Sequence, residues 1–320
     1  MIGRQTEQAN FADVMLNGNR MKDTFLNRVD GAIKWKRIRR KIESIYSGSA
    51  TGRPCEDVIV LFKGLLLAQW YGLSDPELEL AISDRISFTR FVGLSLQDDV
   101  PDETTFCRFR NRLKEAGISE WLFGELNRQL QGRGMLVKKG SLVDATLVDA
   151  SVNPPTKKER EEGKTATDPD ATWTVKGDTP VYGYKVHAAT DPRSGLIQGM
   201  EMTTASVHDT HVFEDIVPEE AQCVLADKGY ANQERKRRLR QSGKYCGILD
   251  KGYRNTPLSK KQKRRNQRLS KIRCGIERLF AHLKARYKYW QVRYIGLKAN
   301  RSHAFLLGFA YNLKHSLALA

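Results

Sequence analysis

Residues 141–150 read Ser-Leu-Val-Asp-Ala-Thr-Leu-Val-Asp-Ala, a run in which apolar and β-branched side chains predominate. Such residues fit the pleated surface of a sheet, so the run predicts a β-strand. Asp144 lies inside it, where a buried carboxylate is costly unless it is paired or binds a metal ion. The alternative interpretation is an aspartate at a strand end whose carboxylate stays in water.

A second aspartate follows a second apolar run. Residues 223–226 read Cys-Val-Leu-Ala, and Asp227 comes next, before Lys228, Gly229 and Tyr230. The run predicts a short buried strand. Because Asp-x-Gly is ordinary turn chemistry, a simple turn is the alternative to a functional carboxylate here.

The chain around these two runs predicts an α/β fold with a mixed sheet. A turn-forming stretch at 191–195 joins two predicted strands, whereas 156–178 is polar and predicts a loop. Strands separated by helices predict a sheet with helices on both faces. The predicted strands are 141–150, 181–190, 196–204, 222–226 and 245–249, and the predicted helices are 209–216 (capped by Asp209), 231–241, 264–287 and 302–317.

Residues 21–135 predict an all-α domain, and residues 1–20 are expected to be loosely ordered. A helix at Asp57–Tyr71 has a broad apolar face, Gly72 suits its C-terminal cap, and Ser74 suits the N-cap of the next helix. These local signals predict a series of short helices.

A later helix of this domain opens at Pro101 and carries Arg108 and Arg112 away from its apolar side. Several short helices with one basic helix fit a helix-turn-helix-like domain that reads DNA. A helical bundle with a solvated basic face explains the same pattern equally well.

The composition limits the class of protein. The 320 residues carry 54 Lys and Arg against 37 Asp and Glu, for a net charge of +17 and a pI of about 9.7. No apolar run approaches the roughly 20 residues that span a bilayer, and the N-terminus lacks a signal-peptide core. The five cysteines form no CxxC pair, which predicts free thiols in a reducing cytoplasm. The charge indicates a polyanionic partner, either nucleic acid or a membrane surface.

The positive charge is concentrated at the C-terminal end of the chain. Residues 228–320 hold 25 basic and 3 acidic residues, whereas 141–227 hold 7 basic and 16 acidic ones. A solvated helix face usually explains a charge run, but a block of this size repels itself unless a partner neutralises it. A nucleic acid backbone is the expected partner. The candidate DNA contacts are Lys260, Lys261, Arg264, Arg265 and Arg268, with Arg108 and Arg112 in the N-terminal domain.

Glu277 is the only acid between Lys251 and Ala320. Helical spacing places it at the edge of an apolar face, on a line that also contains Arg273 and Lys284. A stripe of ion pairs along the helix is the alternative interpretation. The apolar face is predicted to consist of Ile272, Ile276, Leu279 and Leu283.

Two predicted strands and one predicted helix thus each contribute a carboxylate: Asp144, Asp227 and Glu277. Such oxygen ligands suit Mg²⁺ or Mn²⁺, which take their remaining ligands from water and phosphates. Two such ions about 3.5–4 Å apart can activate an attacking oxygen and stabilise a leaving one. Asp144, Asp227 and Glu277 are therefore candidate ligands for such a pair of ions.

Three segments resemble the motifs of the DDE transposases of bacterial insertion sequences. The resemblance is strongest to the IS-five group of the IS-four-like superfamily and extends over about residues 20–315. One departure is Ser270, which stands where related transposases often have tyrosine. The three segments are 142–146, 224–230 and the spacing Arg273-x3-Glu277-x6-Lys284.

The resemblance implies a ribonuclease-H-like domain at 136–320, a mixed sheet with flanking helices that contains a basic insertion at about 231–270. It also implies that the preceding all-α domain binds DNA and mediates dimerisation. By position, Asp144, Asp227 and Glu277 would be the metal ligands, and Arg273 and Lys284 would lie near the DNA of the transposon ends.

The implied activity is that of a transposase. Such an enzyme binds the ends of its insertion sequence, cleaves the DNA by metal-assisted hydrolysis and joins the 3′-hydroxyl ends to target DNA. It would act as a homodimer on double-stranded DNA in the bacterial cytoplasm, at the nucleoid. Two alternatives remain open: a metal-dependent DNA nuclease without strand transfer, and a domesticated DNA-binding regulator.

Overall fold

The computed structural model of the protein describes residues 24–46, 56–162, 164–254 and 256–319. The prediction of loose order for residues 1–20 lies outside these ranges. The chain divides into two compact units, one made of residues 1–129 and 309–320 and the other of residues 130–308. The C-terminal end of the last helix therefore belongs to the first unit, although the sequence predicted a single boundary near residue 135.

The first unit is helical, as predicted. A 3₁₀ turn at Ser44–Tyr46 follows its second helix. The helices are α1 (Phe25–Ala32), α2 (Trp35–Glu43), α3 (Val58–Tyr71), α4 (Asp75–Asp84), α5 (Ile86–Val92), α6 (Glu103–Glu115) and α7 (Ser119–Gly132).

The caps predicted at Gly72 and Ser74 are confirmed, whereas the helix expected to open at Pro101 begins at Glu103, with Asp102 as its N-cap. The Asp57 carboxylate accepts a hydrogen bond from the Ile59 backbone N–H at 2.7 Å and caps α3, which ends at Gly72 in the left-handed region with φ 68°. Ser74 begins α4 with a capping box that it shares with Glu77. Such caps satisfy backbone groups that have no partner inside the helix.

Helix α3 differs from the prediction of one apolar face. Every residue from Val58 to Trp70 is buried, including Lys63. The ammonium of Lys63 is paired with the Asp30 carboxylate at 2.6 Å. Helix α3 is therefore the central helix of the first unit, enclosed on all sides.

The second unit contains a mixed sheet with helices on both faces, as predicted, and the sheet has six strands where five were predicted. Its strand order is β2-β3-β1-β5-β6, and β4 also pairs with β3. Two further 3₁₀ turns lie at Asp209–His211 and Lys228–Tyr230. The elements are β1 (Gly140–Asp149), α8 (Lys157–Glu161), β2 (Thr172–Lys176), β3 (Thr179–Thr190), β4 (Ile197–Thr204), α9 (Phe213–Ile216), β5 (Cys223–Ala226), α10 (Gln233–Gln241), β6 (Tyr245–Ile248), α11 (Lys260–Tyr287) and α12 (Leu297–Ser316).

The pairing of β1 with β5 positions the candidate site. The two strands are parallel, and Val143 lies opposite Ala226. Asp144 and Asp227 each follow this pair by one residue, so Asp144 lies within β1 level with Asp227 at the carboxyl end of β5. Parallel strands place their carboxyl ends together, which is where sites in such sheets form.

Each face of the sheet is covered by different helices. On one face, Val143 and Val224 belong to a core that includes Phe213 of α9 and Leu239 of α10. On the other face lies α11. There the backbone at Gly275 is so close to β1 that a Cβ would lie 3.0 Å from the Leu142 side chain.

Several elements of the second unit differ from the prediction. The polar stretch 156–178 contains α8 and β2, and residues 231–270 supply α10, the edge strand β6 and the start of α11 rather than an insertion. His208, not Asp209, is the N-cap of the short helical segment that follows it. Ile272 was expected in the apolar face of α11, but 51% of it is exposed, whereas Leu269, three residues earlier, is buried.

In the part of the chain that the structure describes, no single helix is long and apolar enough to cross a bilayer. Helices α3 and α4 meet the length and composition required only when they are taken together, and they are bent by 103° at their junction.

Candidate active site

Asp144 and Asp227 form the centre of the site. Asp144 lies in β1, where its carboxylate accepts a hydrogen bond from the Ala145 backbone N–H at 2.9 Å. Asp227 directly follows β5 in an extended conformation and begins the 3₁₀ turn Lys228–Tyr230. Burial raises the pKa of the Asp144 carboxyl, and the nearby negative charge of Asp227 adds to this effect, although Arg273 opposes it. The two carboxylates are therefore close enough to repel each other.

Arg273 joins Asp144 to Glu277. Its Nη1 donates to Asp144 Oδ2 at 2.8 Å, and its Nη2 forms an ion pair with Glu277 Oε1 one turn further along α11. The Glu277 side chain is 53% exposed, whereas that of Arg273 is 16% exposed. A single guanidinium thus brings together the carboxylates of the first strand and the helix.

The three carboxylates do not by themselves form a complete metal site. Among the residues that the structure describes, no three His, Cys, Asp or Glu side chains are already arranged to hold a metal ion. Asp144 and Glu277 instead share the positive charge of Arg273. The available ligands are nevertheless carboxylate oxygens, from Asp144 and Asp227 on neighbouring strands and from Glu277 on α11, and such oxygens fit Mg²⁺ or Mn²⁺ better than softer metals.

Lys284, predicted to lie on the same line as Glu277, contacts the strand below it. Its ammonium donates to the Leu147 backbone carbonyl at 3.0 Å. Burial lowers the pKa of Lys284, and the nearby charge of Lys176 lowers it further. Lys284 therefore fixes α11 against β1 at the site, two turns beyond the glutamate.

A second group of polar residues lies on β3 and the turn after β4. The Lys185 ammonium pairs with Asp209 at 2.8 Å and donates to the Val207 carbonyl at 2.7 Å. His187 is fully buried, and its Nε2 lies 3.0 Å from the hydroxyl oxygen of Thr203. Burial lowers the pKa of His187 to about 4. His187 is therefore neutral at physiological pH.

Tyr230 is a residue of this region that the sequence did not single out. It is 1% exposed, and its hydroxyl has no hydrogen-bond partner among the described residues. Burial raises the pKa of Tyr230, and the charges of Asp209, Asp144 and Asp227 raise it further. The feature that could have identified Tyr230 from the sequence is its position three residues after Asp227.

The predicted DNA contacts fall into two groups. Lys260, Lys261, Arg264 and Arg268 are exposed along the first half of α11. Arg265 instead donates to the Cys246 carbonyl at 2.6 Å and pairs with Asp250 at 3.0 Å, so it holds α11 on β6.

In the first unit, Arg108 and Arg112 of α6 are both exposed. The guanidinium of Arg112 lies 4.5 Å from the ring centre of Tyr46.

A mixed sheet flanked by helices, with aspartates on two adjacent strands and a glutamate on the helix that covers them, is a ribonuclease-H-like fold. Residues 136–313 match the family model described as the transposase DDE domain. Residues 15–112 match a second model, described as a transposase domain (DUF772). The chain therefore belongs to the DDE transposase family. No solved structure matches it.

Proposed function

We propose that this transposase binds the ends of its insertion sequence, cleaves the DNA there and joins the 3′-hydroxyl ends to target DNA. The observation that carries the proposal is the placement of Asp144 and Asp227 at neighbouring positions of the paired strands β1 and β5, with Glu277 tied to Asp144 through Arg273. This juxtaposition lies inside the segment that matches the DDE domain. The finer assignment to the IS-five group is part of the proposal.

Asp144, Asp227 and Glu277 are the proposed ligands of two Mg²⁺ ions, with Mn²⁺ as a substitute. When bound, such ions activate an attacking oxygen and stabilise a leaving one in phosphodiester chemistry. The protein's contribution is to hold three negative groups beside a DNA phosphate and to keep the reacting groups in line. No covalent intermediate on a side chain is required.

Arg273 has a distinct part in this proposal. In the structure its guanidinium pairs with both Asp144 and Glu277 and offsets one of their two negative charges. We propose that it turns to a phosphate of the bound DNA, since arginine recognises phosphate and carboxylate with the same donors. This movement of the Arg273 side chain releases both carboxylates when the DNA binds.

The proposed partner is double-stranded DNA, both the element ends and the target. The exposed cations of α11 supply a phosphate-binding surface, and the net charge of +17 draws DNA toward the protein. A homodimer that brings two element ends together, and a place of action at the bacterial nucleoid in the cytoplasm, complete the proposal.

Substitution of Glu277 by Gln tests the assignment. The change keeps the size of the side chain and removes its charge, so we expect strand cleavage and strand transfer to fall by roughly 100-fold or more while binding of the element ends is retained. The measurement uses labelled element ends, a plasmid target and Mg²⁺, with the junctions mapped by sequencing.

Glu234→Gln is the matched control, because Glu234 is an exposed acid of α10 whose side chain is 74% exposed. Cleavage by the Glu277 variant at the rate of the control would overturn the assignment. Cleaved ends without joined products, from the unsubstituted protein, would favour a nuclease over a transposase.

A further inference from the structure

Helix α2 is the most densely basic element of the first unit. Residues 34–43 contain six cationic residues and one acid, Glu43. The neighbouring basic helix, α6, has four cationic residues and two acids over thirteen residues. The cations of α2 and its N-cap are Lys34, Lys36, Arg37, Arg39, Arg40 and Lys41.

The packing of α2 fixes which of these cations face outward. Ile38 and Ile42 are fully buried, so they mark the inward side of the helix. At about 100° per residue, Arg40 lies opposite that side, and Lys36 lies one turn before it. Lys36, Arg37 and Arg40 are exposed. The outward face is therefore formed by cations, with no apolar side chain among its exposed residues.

Protein contacts hold the cations at the borders of this face. Arg39 pairs with Asp57 at 2.8 Å, and Arg37 lies 3.5 Å from a carboxylate oxygen of Glu125. The Lys41 ammonium lies 5.5 Å from the ring centre of Trp121. In the described segments, neither Lys36 nor Arg40 has an ion pair, so the two central cations are those that a partner can use.

Among the described residues, helix α6 offers a partner fewer unpaired cations than α2 does. Its Arg110 makes two hydrogen bonds to the Asp75 carboxylate, at 2.7 and 2.5 Å. Arg112 lies over the Tyr46 ring, at the end of the 3₁₀ turn that follows α2. Arg112 therefore lies beside the C-terminal end of α2 and can extend its surface rather than form a separate one.

A helix with cations at neighbouring positions is destabilised by their mutual repulsion. An anionic partner removes that cost. A membrane surface requires apolar side chains next to the basic ones, and on α2 these are buried. The phosphate backbone of duplex DNA requires only the cations, and each phosphate that they neutralise releases counterions.

We infer that the outward face of α2, centred on Lys36 and Arg40, binds the phosphate backbone of duplex DNA. The inference rests on the proposed function and adds to it a DNA contact in the first unit, outside the carboxylate site. Phosphate contacts carry no sequence information, so this surface anchors DNA without reading it.

The test uses the full-length protein with Lys36→Gln and Arg40→Gln together. Binding of a fluorescent duplex is measured by anisotropy over a range of salt concentrations. Loss of two phosphate contacts reduces the slope of log affinity against log salt by about two, and lowers the affinity roughly 10- to 100-fold at moderate salt. An element end and a scrambled duplex lose affinity equally.

The control variant carries Lys157→Gln and Lys158→Gln in α8. These side chains are 89% and 85% exposed, and each lies 3.9 Å from a glutamate that balances its charge. The control has the same change in net charge, and we expect its salt slope to match that of the unsubstituted protein. Unchanged thermal unfolding of both variants shows that they are folded, as expected for exposed side chains.

A salt slope equal to that of the control would overturn the inference. So would an α2 variant that loses binding to anionic lipid vesicles while keeping its affinity for DNA. Because cleavage of element ends by the unsubstituted protein is measured separately, an α2 variant with normal DNA binding refutes only this surface. An unsubstituted protein that neither binds nor cleaves the ends refutes the proposed function as well.

Discussion

The hydroxyl of Tyr230 shows how a single residue relates packing to the proposed chemistry. Burying a hydroxyl without a partner costs about 1–3 kcal/mol, so phenylalanine would serve the core better. The ring itself is well packed, with its centre 5.7 Å from that of Phe213. Because the charges of Asp209, Asp144 and Asp227 all raise the pKa of the phenol, we expect its hydroxyl to donate to one of these carboxylates when DNA is bound.

The substitution Tyr230→Phe is therefore expected to lower activity without lowering the stability of the fold. The free energy of unfolding should stay the same or rise by up to about 1 kcal/mol, because an unpartnered polar group is removed. We expect the rate of strand cleavage to fall roughly 10-fold, because phenylalanine cannot donate to a carboxylate of the proposed site when DNA is bound. Urea unfolding and cleavage of labelled ends measure the two quantities.

Tyr289→Phe provides the comparison. Tyr289 is also fully buried in the second unit, and its hydroxyl lies 3.9 Å from the sulfur of Met202. We expect this variant to cleave at the normal rate. Equal cleavage by the two phenylalanine variants would show that the Tyr230 hydroxyl has no part in the reaction.

At the scale of elements, the position of α11 depends on a network at the end of β6. Asp250 pairs with Lys236 of α10 at 2.8 Å and with Arg265 of α11 at 3.0 Å. Asn266 accepts from the Asp250 N–H and donates to its carbonyl, both at 2.9 Å. These bonds attach the start of α11 to the sheet, and α11 carries Glu277.

Burial works to raise the pKa of the Asp250 carboxyl, but Lys236 and Arg265 outweigh it and hold that pKa below its ordinary value of 3.8. A depressed pKa means that the folded state favours the charged carboxylate. The resulting stabilisation is complete above about pH 4–5 and is lost as the pH falls through the folded-state pKa.

Asp250→Asn should accordingly lower the free energy of unfolding by about 1–2 kcal/mol at neutral pH, since the group is partly open to water. The difference from the unsubstituted protein should shrink toward acid pH, where both lack the charge. Urea unfolding at several pH values measures it, with Asp215→Asn, at an exposed position of α9, as the control. A difference that does not change with pH would rule out the ion pairs as its cause.

Elements defined by local signals were predictable, and those defined by distant partners were not. The caps at Gly72 and Ser74 act within a few residues, so the sequence contains them entirely. Strand β2 lies in a polar stretch and gains its structure from pairing with β3. Polarity alone could not indicate that pairing.

The candidate site divides in the same way. The unusual acid Glu277 and the aspartates after apolar runs were visible as a pattern. The bond from Arg273 to Asp144 joins residues 129 positions apart, and it depends on α11 packing over β1. Helical periodicity placed Arg273 beside Glu277 but gave no information about the strand beneath.

At the scale of the whole molecule, charge opposes compactness. The net charge is +17, and residues 228–320 hold 25 of the 54 cationic residues with only 3 acids. Part of this charge is neutralised internally, as at Arg265 and Arg273. The exposed cations at the start of α11 have no ion pair in the described part of the chain, so they repel one another until DNA binds.

Neutralising these cations should therefore stabilise the free protein while weakening its hold on DNA. Lys260, Arg264 and Arg268 follow one another at intervals of four along α11, and Lys261 lies beside them. Like charges at that spacing cost about 0.2–0.5 kcal/mol per pair. Replacing all four by Gln should raise the free energy of unfolding by about 1 kcal/mol at low salt and reduce the salt slope of DNA binding by about four.

Salt distinguishes repulsion from lost contacts. The Debye length shortens to a few ångströms at high salt, so the stability gain of the fourfold variant should nearly vanish between about 20 mM and 500 mM NaCl. Urea unfolding at both concentrations measures this. A variant that is less stable than the unsubstituted protein at both salts would mean that these side chains stabilise the fold itself. In that case the cations in the first half of α11 would stabilise the folded protein, and they would not be repelling one another in the absence of DNA.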